Sequence, residues 1–321
     1  MIVSIHGKMS FCSWVGETVM TFTQLEIFAL VAELGGFTAA ADKLGISQSA
    51  VSHAIKQLEK EWGLTLLTRG QAGIEATEAG NSLLLRVREL LGVAEAIRQE
   101  ASAARGLNRG VLRIGSFGTT SSLLLLPRIL EQFRAAYPEI DVFVEEGEDD
   151  EVAQWVSERR VDVGFVVLPD ERFDTLPLVE DQFVALIPAD HPLAGQPAVE
   201  LADLCDMPFI MTLAGNTTLI ERLFENAGLR PMVKHRYAQI ITIVKMVENG
   251  AGVSIVADLA VPAPLLALCP GVVKKPLAPK VKRAVGLAVP SRKHVSPAVA
   301  AFLHTSKTMA KSLRDGSLGG L

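Results

Sequence analysis

The stretch from Ser47 to Trp62 constrains this chain more than any other, because its spacing fits an amphipathic helix and nothing else. Ser47 is a favourable N-cap, since a serine hydroxyl accepts a hydrogen bond from an amide that the first helical turn leaves unpaired. Val51, Ala54, Ile55, Leu58 and Trp62 then recur on one face. The complementary positions Ser49, Ser52, His53, Lys56 and Lys60 carry neither apolar nor acidic side chains. One face is core, and the other is polar surface suited to a charged partner.

What surrounds this helix completes a small module over residues 21–80. Thr23 to Glu26 reads as a capping box opening a first helix, Phe22 and Ile27 have hydrophobic-staple spacing, and Leu25, Phe28, Ala29 and Ala32 form its expected buried stripe. Gly35-Gly36 ends it. A short helix, Thr38 to Leu44, carries three alanines that permit close packing, and Gly45 supplies a turn. Leu64 to Thr77 predicts a two-stranded wing around Gly70–Gly73, with Arg69 at its base. The pattern is that of a winged helix-turn-helix. Gln48 and Ser49 then stand at the helix end that enters a DNA major groove, with Ser52, His53 and Lys56 one and two turns on and Arg69 within reach of a phosphate or the minor groove. Residues 21–90 hold six Lys and Arg against eight Asp and Glu, so affinity must come from local arrangement and from dimerisation rather than from net charge.

A long helix is expected from Thr77 to about Arg105. Leu83, Val87, Leu90, Ala94, Ile97 and Ala101 are spaced alternately by four and three, a heptad seam for a homodimer. The domains read as an extension at 1–20 without assigned function, the DNA-binding module at 21–80, a linker and dimerisation helix at 81–110, an effector domain at 111–310 and a tail at 311–321. Between Val111 and Val289 strands and helices alternate: Val111–Gly115, Ile140–Glu145, Val161–Leu168, Phe183–Ile187, Phe209–Thr212, Val233–Tyr237, Val253–Val256 and Arg283–Val289 as strands, with helices between them. The fold class is α/β behind a helical N-terminal module. Ser296-Pro297 opens a last helix.

Function classes can be removed. No apolar run approaches a bilayer span, which places the protein in the cytoplasm with no membrane partner. Cys12, Cys205 and Cys269 are too scattered for a disulfide framework or a zinc site, and Cys205 reads as a small core residue. The six histidines form no cluster; no nucleophile elbow, phosphate-binding loop or metal-ligand set occurs, so neither enzyme activity nor a metal or cofactor is expected. The acidic run Glu145 to Glu151 reads as a solvated helix start.

Three groups of residues then resemble the LysR-type transcriptional regulators. They are Phe37-Thr38-Ala39-Ala40-Ala41 followed by Leu44, Ser47-Gln48-Ser49-Ala50-Val51-Ser52, Ile55 and Leu58-Glu59; Leu67, Arg69 and Thr77-Glu78-Ala79-Gly80; and, downstream, Asp190-His191-Pro192-Leu193 with Val247-Glu248-Asn249-Gly250-Ala251-Gly252-Val253. The resemblance covers about residues 20–310. It implies a homodimer or homotetramer that binds double-stranded DNA, contacts RNA polymerase if it activates, and senses a small molecule in a two-lobed domain similar to periplasmic binding proteins. Lobe 1 then maps to about 111–187 and 283–310, lobe 2 to about 188–282. The wing departs from the family pattern in carrying Glu75. Two hydroxyl-rich loops are expected to face one another across the cleft and to hold a carboxylate-bearing effector: Ser116, Thr119 and Thr120 in lobe 1, and Thr212, Asn216 and Thr217 in lobe 2, with Gln239 from the next helix start. Two other readings fit the same residues: that these hydroxyls are only helix caps, and that the chain is a solute-binding α/β protein whose N-terminal module only dimerises it.

Overall fold

The computed structural model describes residues 20–70, 73–105, 109–213 and 217–314. The chain divides into two compact units, residues 1–94 and 95–321.

The first unit holds α1 (Phe22–Leu34), α2 (Phe37–Leu44), α3 (Gln48–Trp62), β1 (Leu67–Arg69), β2 (Ile74–Ala76) and the start of α4 (Glu78–Ala104). The capping box of α1 sits two residues earlier than expected. Thr21 Oγ1 accepts from the Gln24 amide at 3.2 Å, and Gln24 Oε1 accepts from the Thr21 amide at 2.8 Å. Both Thr21-x-x-Gln24 and Thr23-x-x-Glu26 satisfy the pattern, and the earlier one wins because it leaves Leu25 and Phe28 pointing inward. Ile27 and Val31 join them in the core while Ala29 and Ala32 are only half-buried, the larger side chains gaining more from leaving water. Gly45, at φ 66°, turns the chain from α2 into α3. Val51, Ala54, Ile55 and Leu58 of α3 close over this core, each large side chain worth roughly 1.5–3 kcal/mol.

The seam of α4 is not uniform. Val87 is buried and Leu83 partly buried against the core of the same unit, a packing the heptad spacing alone does not reveal. The helix begins by packing on its own domain, and only beyond that do apolar side chains lie in the open: Leu90 is 39% exposed, Val93 53% and Ile97 60%.

The second unit is a ten-stranded sheet system of two lobes. β3 (Gly110–Phe117), β4 (Ile140–Gly147) and β5 (Val163–Leu168) are parallel, with β3 central. A π-helical turn (Thr120–Leu125) leads into α5 (Leu126–Ala136), and α6 (Asp149–Ser157) follows β4. The long strand β6 (Asp174–Pro188) enters next, followed by β7 (Val199–Glu200), β8 (Pro208–Thr212), α7 (Thr217–Asn226), β9 (Met232–Tyr237), α8 (Ile240–Glu248), β10 (Val253–Ala257), α9 (Ala263–Leu266), β11 (Val272–Ala278), β12 (Lys282–Val289) and α10 (Pro297–Arg314).

One strand, β6, carries the chain from lobe 1 into lobe 2, and the return lies between β11 and β12. Asp174 to Gln182 of β6 pair with β12 in lobe 1, whereas Phe183 to Pro188 pair with β10 and β11 in lobe 2. The crossing therefore lies at Gln182–Phe183, and residues 183–187, expected in lobe 1, belong to lobe 2. Pro188 does end the strand, but the change of sheet occurs inside it, where no turn residue marks it. Buried Phe302, Met309 and Ala310 keep α10 helical to Arg314, past the expected start of the tail. Residues 1–19 and 315–321, which hold nearly all of the expected extension and the rest of the tail, lie outside the described residues.

Candidate DNA interface and effector cavity

The face of α3 opposite its core is laid open. Gln48, Ser49, His53 and Lys56 are exposed and Ser52 is half-buried. Ser47 caps the helix, its Oγ accepting from the Ala50 amide at 3.2 Å, and Ser49 Oγ lies 2.9 Å from Ser47 Oγ. Gln48, Ser52, His53 and Lys56 make no side-chain hydrogen bond or ion pair among the described residues, so their donors and acceptors are available to another molecule. The orphan amides at the start of α3 add a positive end to the same edge.

The wing is held to this helix by a residue that pattern reading did not single out for a role. Glu59, on α3, accepts from the Leu66 amide at 2.7 Å and the Leu67 amide at 3.3 Å. The Ile74 amide donates to Gly35 O at 2.8 Å, tying the second wing strand to the end of α1. Arg69 is exposed at the wing's base, paired across the hairpin with Ile74. The Glu75 carboxylate lies against Gly70, placing negative charge beside the wing tip. The sequence signal for Glu59 was its place in the Leu58-Glu59 pair, which belongs to the resemblance but came with no role.

The effector residues fare differently. Ser116 lies in β3 rather than in a loop; it is fully buried, with its Oγ 2.9 Å from Ser122 Oγ. Thr120 is buried and its Oγ1 accepts from Arg283 Nη2 at 3.1 Å. Ser121 donates to Phe117 O. Thr217 Oγ1 donates to the carbonyl of buried Thr212 at 2.7 Å. Thr119 is half-buried, and Gln239 is exposed at the N-cap of α8, where it makes no capping bond. Asn216 lies outside the described residues. Most of the hydroxyls expected to meet a ligand therefore hold the two helix starts together.

A cavity of about 370 Å³ does open between the lobes, but it is lined elsewhere. Asp149 and Asp150 at the start of α6, and Val166 to Arg172 at the end of β5 and just beyond it, form the lobe 1 wall; Thr218, Leu219 and Arg222 of α7 form the lobe 2 wall. Arg172 is spent on Asp170, with Nε–Oδ1 at 2.9 Å and Nη2–Oδ2 at 2.6 Å. That hydrogen bond holds the Asp170 carboxyl below its ordinary range. Arg222 makes no ion pair or hydrogen bond among the described residues. A larger hollow of about 540 Å³, floored by Met211 and Phe224, is confined to lobe 2 and touches none of the expected site residues.

At the crossing of the lobes sits a buried ion pair that sequence reading missed. Arg283 Nε meets Asp181 Oδ2 at 3.0 Å, and Asp181 Oδ1 accepts from the Gln182 amide at 2.8 Å and the Leu259 amide at 3.2 Å. Burial lowers the Arg283 pKa from its ordinary value, while Asp181 opposes that shift. The two residues stand 102 apart in sequence, a separation no local pattern reveals.

A helix-turn-helix unit with an open polar helix, joined to a two-lobed α/β unit with a cavity between its lobes, defines a ligand-responsive DNA-binding protein. Residues 22–81 match the bacterial regulatory helix-turn-helix protein, lysR family, and residues 105–311 match the LysR substrate binding domain. The chain belongs to the LysR family of transcriptional regulators. It is 34% identical over 291 residues to the uncharacterized HTH-type transcriptional regulator YvbU of Bacillus subtilis (strain 168), covering 90% of this chain and 99% of that one. It is 30% identical to the HTH-type transcriptional regulator CysL of the same organism, covering 74% and 81%. Among solved structures it resembles HinK, a LysR family transcriptional regulator from Pseudomonas aeruginosa, at 30% identity and a TM-score of 0.55, covering 91% and 99%. A full-length OxyR variant from the same species shares the fold at 23% identity and a TM-score of 0.70, covering 91% and 96%. The protein is thus a DNA-binding transcriptional regulator with an effector-binding domain, in a family of regulators rather than enzymes. That membership sets aside the solute-binding alternative. Among the described residues no helix is long and apolar enough to cross a membrane.

Proposed function

We propose that this regulator acts in the cytoplasm as a homodimer, or a homotetramer built from dimers, that reads an interrupted dyad DNA site and changes its grip when a monocarboxylate binds between its lobes. The observation that carries the DNA half is the uncommitted polar face of α3. Gln48, at the helix N-terminus, is suited to adenine, Lys56 to guanine or a phosphate, and Ser49, Ser52 and His53 complete the reading edge, with Arg69 of the wing on the backbone. Leu90, Ala94, Ile97 and Ala101 form the dimer seam, supported by the exposure of Leu90, Val93 and Ile97. Contact with RNA polymerase follows if the protein activates.

The effector reading moves from the hydroxyl loops to the cavity. Arg222 offers a guanidinium that nothing in the described chain neutralises, which suits a carboxylate. Asp149 and Asp150 on the opposite wall repel a second one. Thr119 and Gln239 remain the uncommitted polar side chains of the original set.

The test is a footprint of the purified protein on the intergenic DNA beside its own gene, over a salt series and with Gln48→Ala. Paired half-sites, a steep salt slope and relaxed specificity in the variant are expected. Absence of specific protection at every salt concentration, with and without a panel of carboxylates, would overturn the reading. Calorimetry with that panel separates the effector claim: Arg222→Ala is expected to weaken the best monocarboxylate about ten-fold or more, and unchanged affinity removes the cavity assignment.

A further inference from the structure

Near its C-terminal end α4 is exposed on almost every side. Ile97, Arg98, Glu100, Ala101 and Ala103 all face solvent, yet Gln99 among them is only 3% exposed. A buried amide on an otherwise open helix is informative, because each of its polar atoms must find a partner. They do. Gln99 Nε2 donates to Val111 O at 3.1 Å, at the start of β3, and to Glu95 Oε1 at 3.0 Å, one turn back on α4. Gln99 Oε1 accepts from the Ala298 amide at 3.1 Å.

Ala298 is the second residue of α10, where a helix leaves its amides without partners inside the helix. Gln99 therefore caps α10 from outside while gripping the first strand of lobe 1. The strand is shaped to receive it: a Cβ on Gly110 would stand 2.6 Å from the Gln99 amide group. These contacts bind α4 and β3, neighbours in sequence, to α10, which lies 199 residues beyond Gln99.

The far side of this joint leads toward the crossing of the lobes. α10 packs on α5 and on β6. α5 continues from the turn that holds Thr120, β6 carries Asp181, and Arg283 bonds to both of those residues.

Resting on the regulator reading above, we propose that Gln99 is a positioning residue: it fixes the direction in which α4 leaves the effector domain, and so sets the spacing at which a dimer accepts two DNA half-sites. An apolar side chain of the same length keeps the volume but releases Val111, Glu95 and Ala298 together.

The experiment uses the full-length protein and Gln99→Met, with two readouts. Amide exchange at Ala298 is expected to rise about ten-fold or more in the variant while the α3 amides stay as they were. Binding is then measured to a single half-site and to paired half-sites whose separation is stepped by one base pair around the natural value. Wild type is expected to lose about ten-fold or more in affinity off the natural spacing, and Gln99→Met to bind all spacings within about three-fold while its half-site affinity is unchanged. A merely structural role for Gln99 leaves the spacing preference intact. Gly110→Ala, which displaces Gln99 without altering it, is the second variant should Gln99→Met fail to fold, and it is expected to flatten the spacing preference in the same way. Retained spacing discrimination in a folded variant, or unchanged exchange at Ala298, overturns the proposal. If wild type protects no DNA, it is the regulator reading that fails, and the exchange measurement still decides whether Gln99 holds the joint.

Discussion

The exposed edge of α3 and the helix starts of the effector lobes are made of the same side chains, serines, threonines and glutamines, in opposite circumstances. On α3, Gln48 and Ser52 are held up by a packed face beneath them and bond to nothing in the described chain. In the lobes, Ser116, Thr120 and Thr217 are drawn inward and consumed by neighbours at 2.9, 3.1 and 2.7 Å. The difference shows that residue type marks polarity alone; whether a polar group serves binding or architecture depends on what else the fold brings within hydrogen-bonding reach. Substitutions on the lobe side should therefore lower stability, and those on the α3 side should lower affinity.

The largest effect is expected where commitment is deepest. Arg283→Ala leaves Asp181 charged and buried without its partner, at a cost of about 3–5 kcal/mol, whereas replacing the pair together by Arg283→Met with Asp181→Leu should cost less, its remaining loss coming from the Gln182 and Leu259 amides that Asp181 accepted from. Urea unfolding of the full-length protein reads both. A loss below about 1 kcal/mol for the single substitution would mean that water reaches the pair, and the contrast between the two regions would weaken accordingly.

Gln48→Ala comes next and inverts the readout. It should leave the unfolding midpoint unchanged and cost about 1–3 kcal/mol in specific DNA binding, with relaxed preference at one base position. Thr217→Val belongs to the other group: it removes the bond to Thr212 O, for about 0.5–1.5 kcal/mol of stability, and should leave DNA binding untouched. If Gln48→Ala lowered stability and Thr217→Val lowered only affinity, the roles of the two regions would be reversed.

These same circumstances explain what could be read before the structure. The periodicity of α3 encodes its core face locally, so Val51, Ala54, Ile55 and Leu58 were legible, and the polar face followed as its complement. The alternation of strands and helices gave the α/β class for the same reason. The lobe crossing was not legible, because β6 changes partners in mid-strand and a strand's sequence does not say which neighbours it pairs with. Nor were Arg283, Asp181 and Gln99, whose partners lie 102 and 199 residues away. The α4 seam was half legible: a heptad marks an apolar stripe but not what covers it, and Val87 is buried by its own domain whereas Ile97 is exposed.

Asp162 offers the finest test, because it is committed and yet unfavourably placed. Its Oδ2 accepts from the Arg113 amide at 2.7 Å, and its own amide donates to Arg113 O at 2.9 Å, fixing the approach to β5. Burial nonetheless pushes its carboxyl above the ordinary aspartate value, outweighing the Arg113 amide and charge, and the Glu95 carboxylate pushes the same way. A carboxyl whose pKa is raised on folding makes the native state bind protons more tightly than the unfolded chain, so the ionised form is a burden at neutral pH that lifts as pH falls. Asp162→Asn keeps an oxygen for the Arg113 amide and removes that burden. The variant should be slightly more stable than wild type at neutral pH, and the advantage should shrink through the raised pKa and vanish once pH falls below the unfolded value of about 4. Paired unfolding curves from about pH 3 to 8 span both values and provide the measurement. An advantage that grows toward acid would mean that the hydrogen bond to Arg113, and not burial, governs this carboxylate; Asp162 would then join Thr217 among the polar groups whose commitment stabilises the fold.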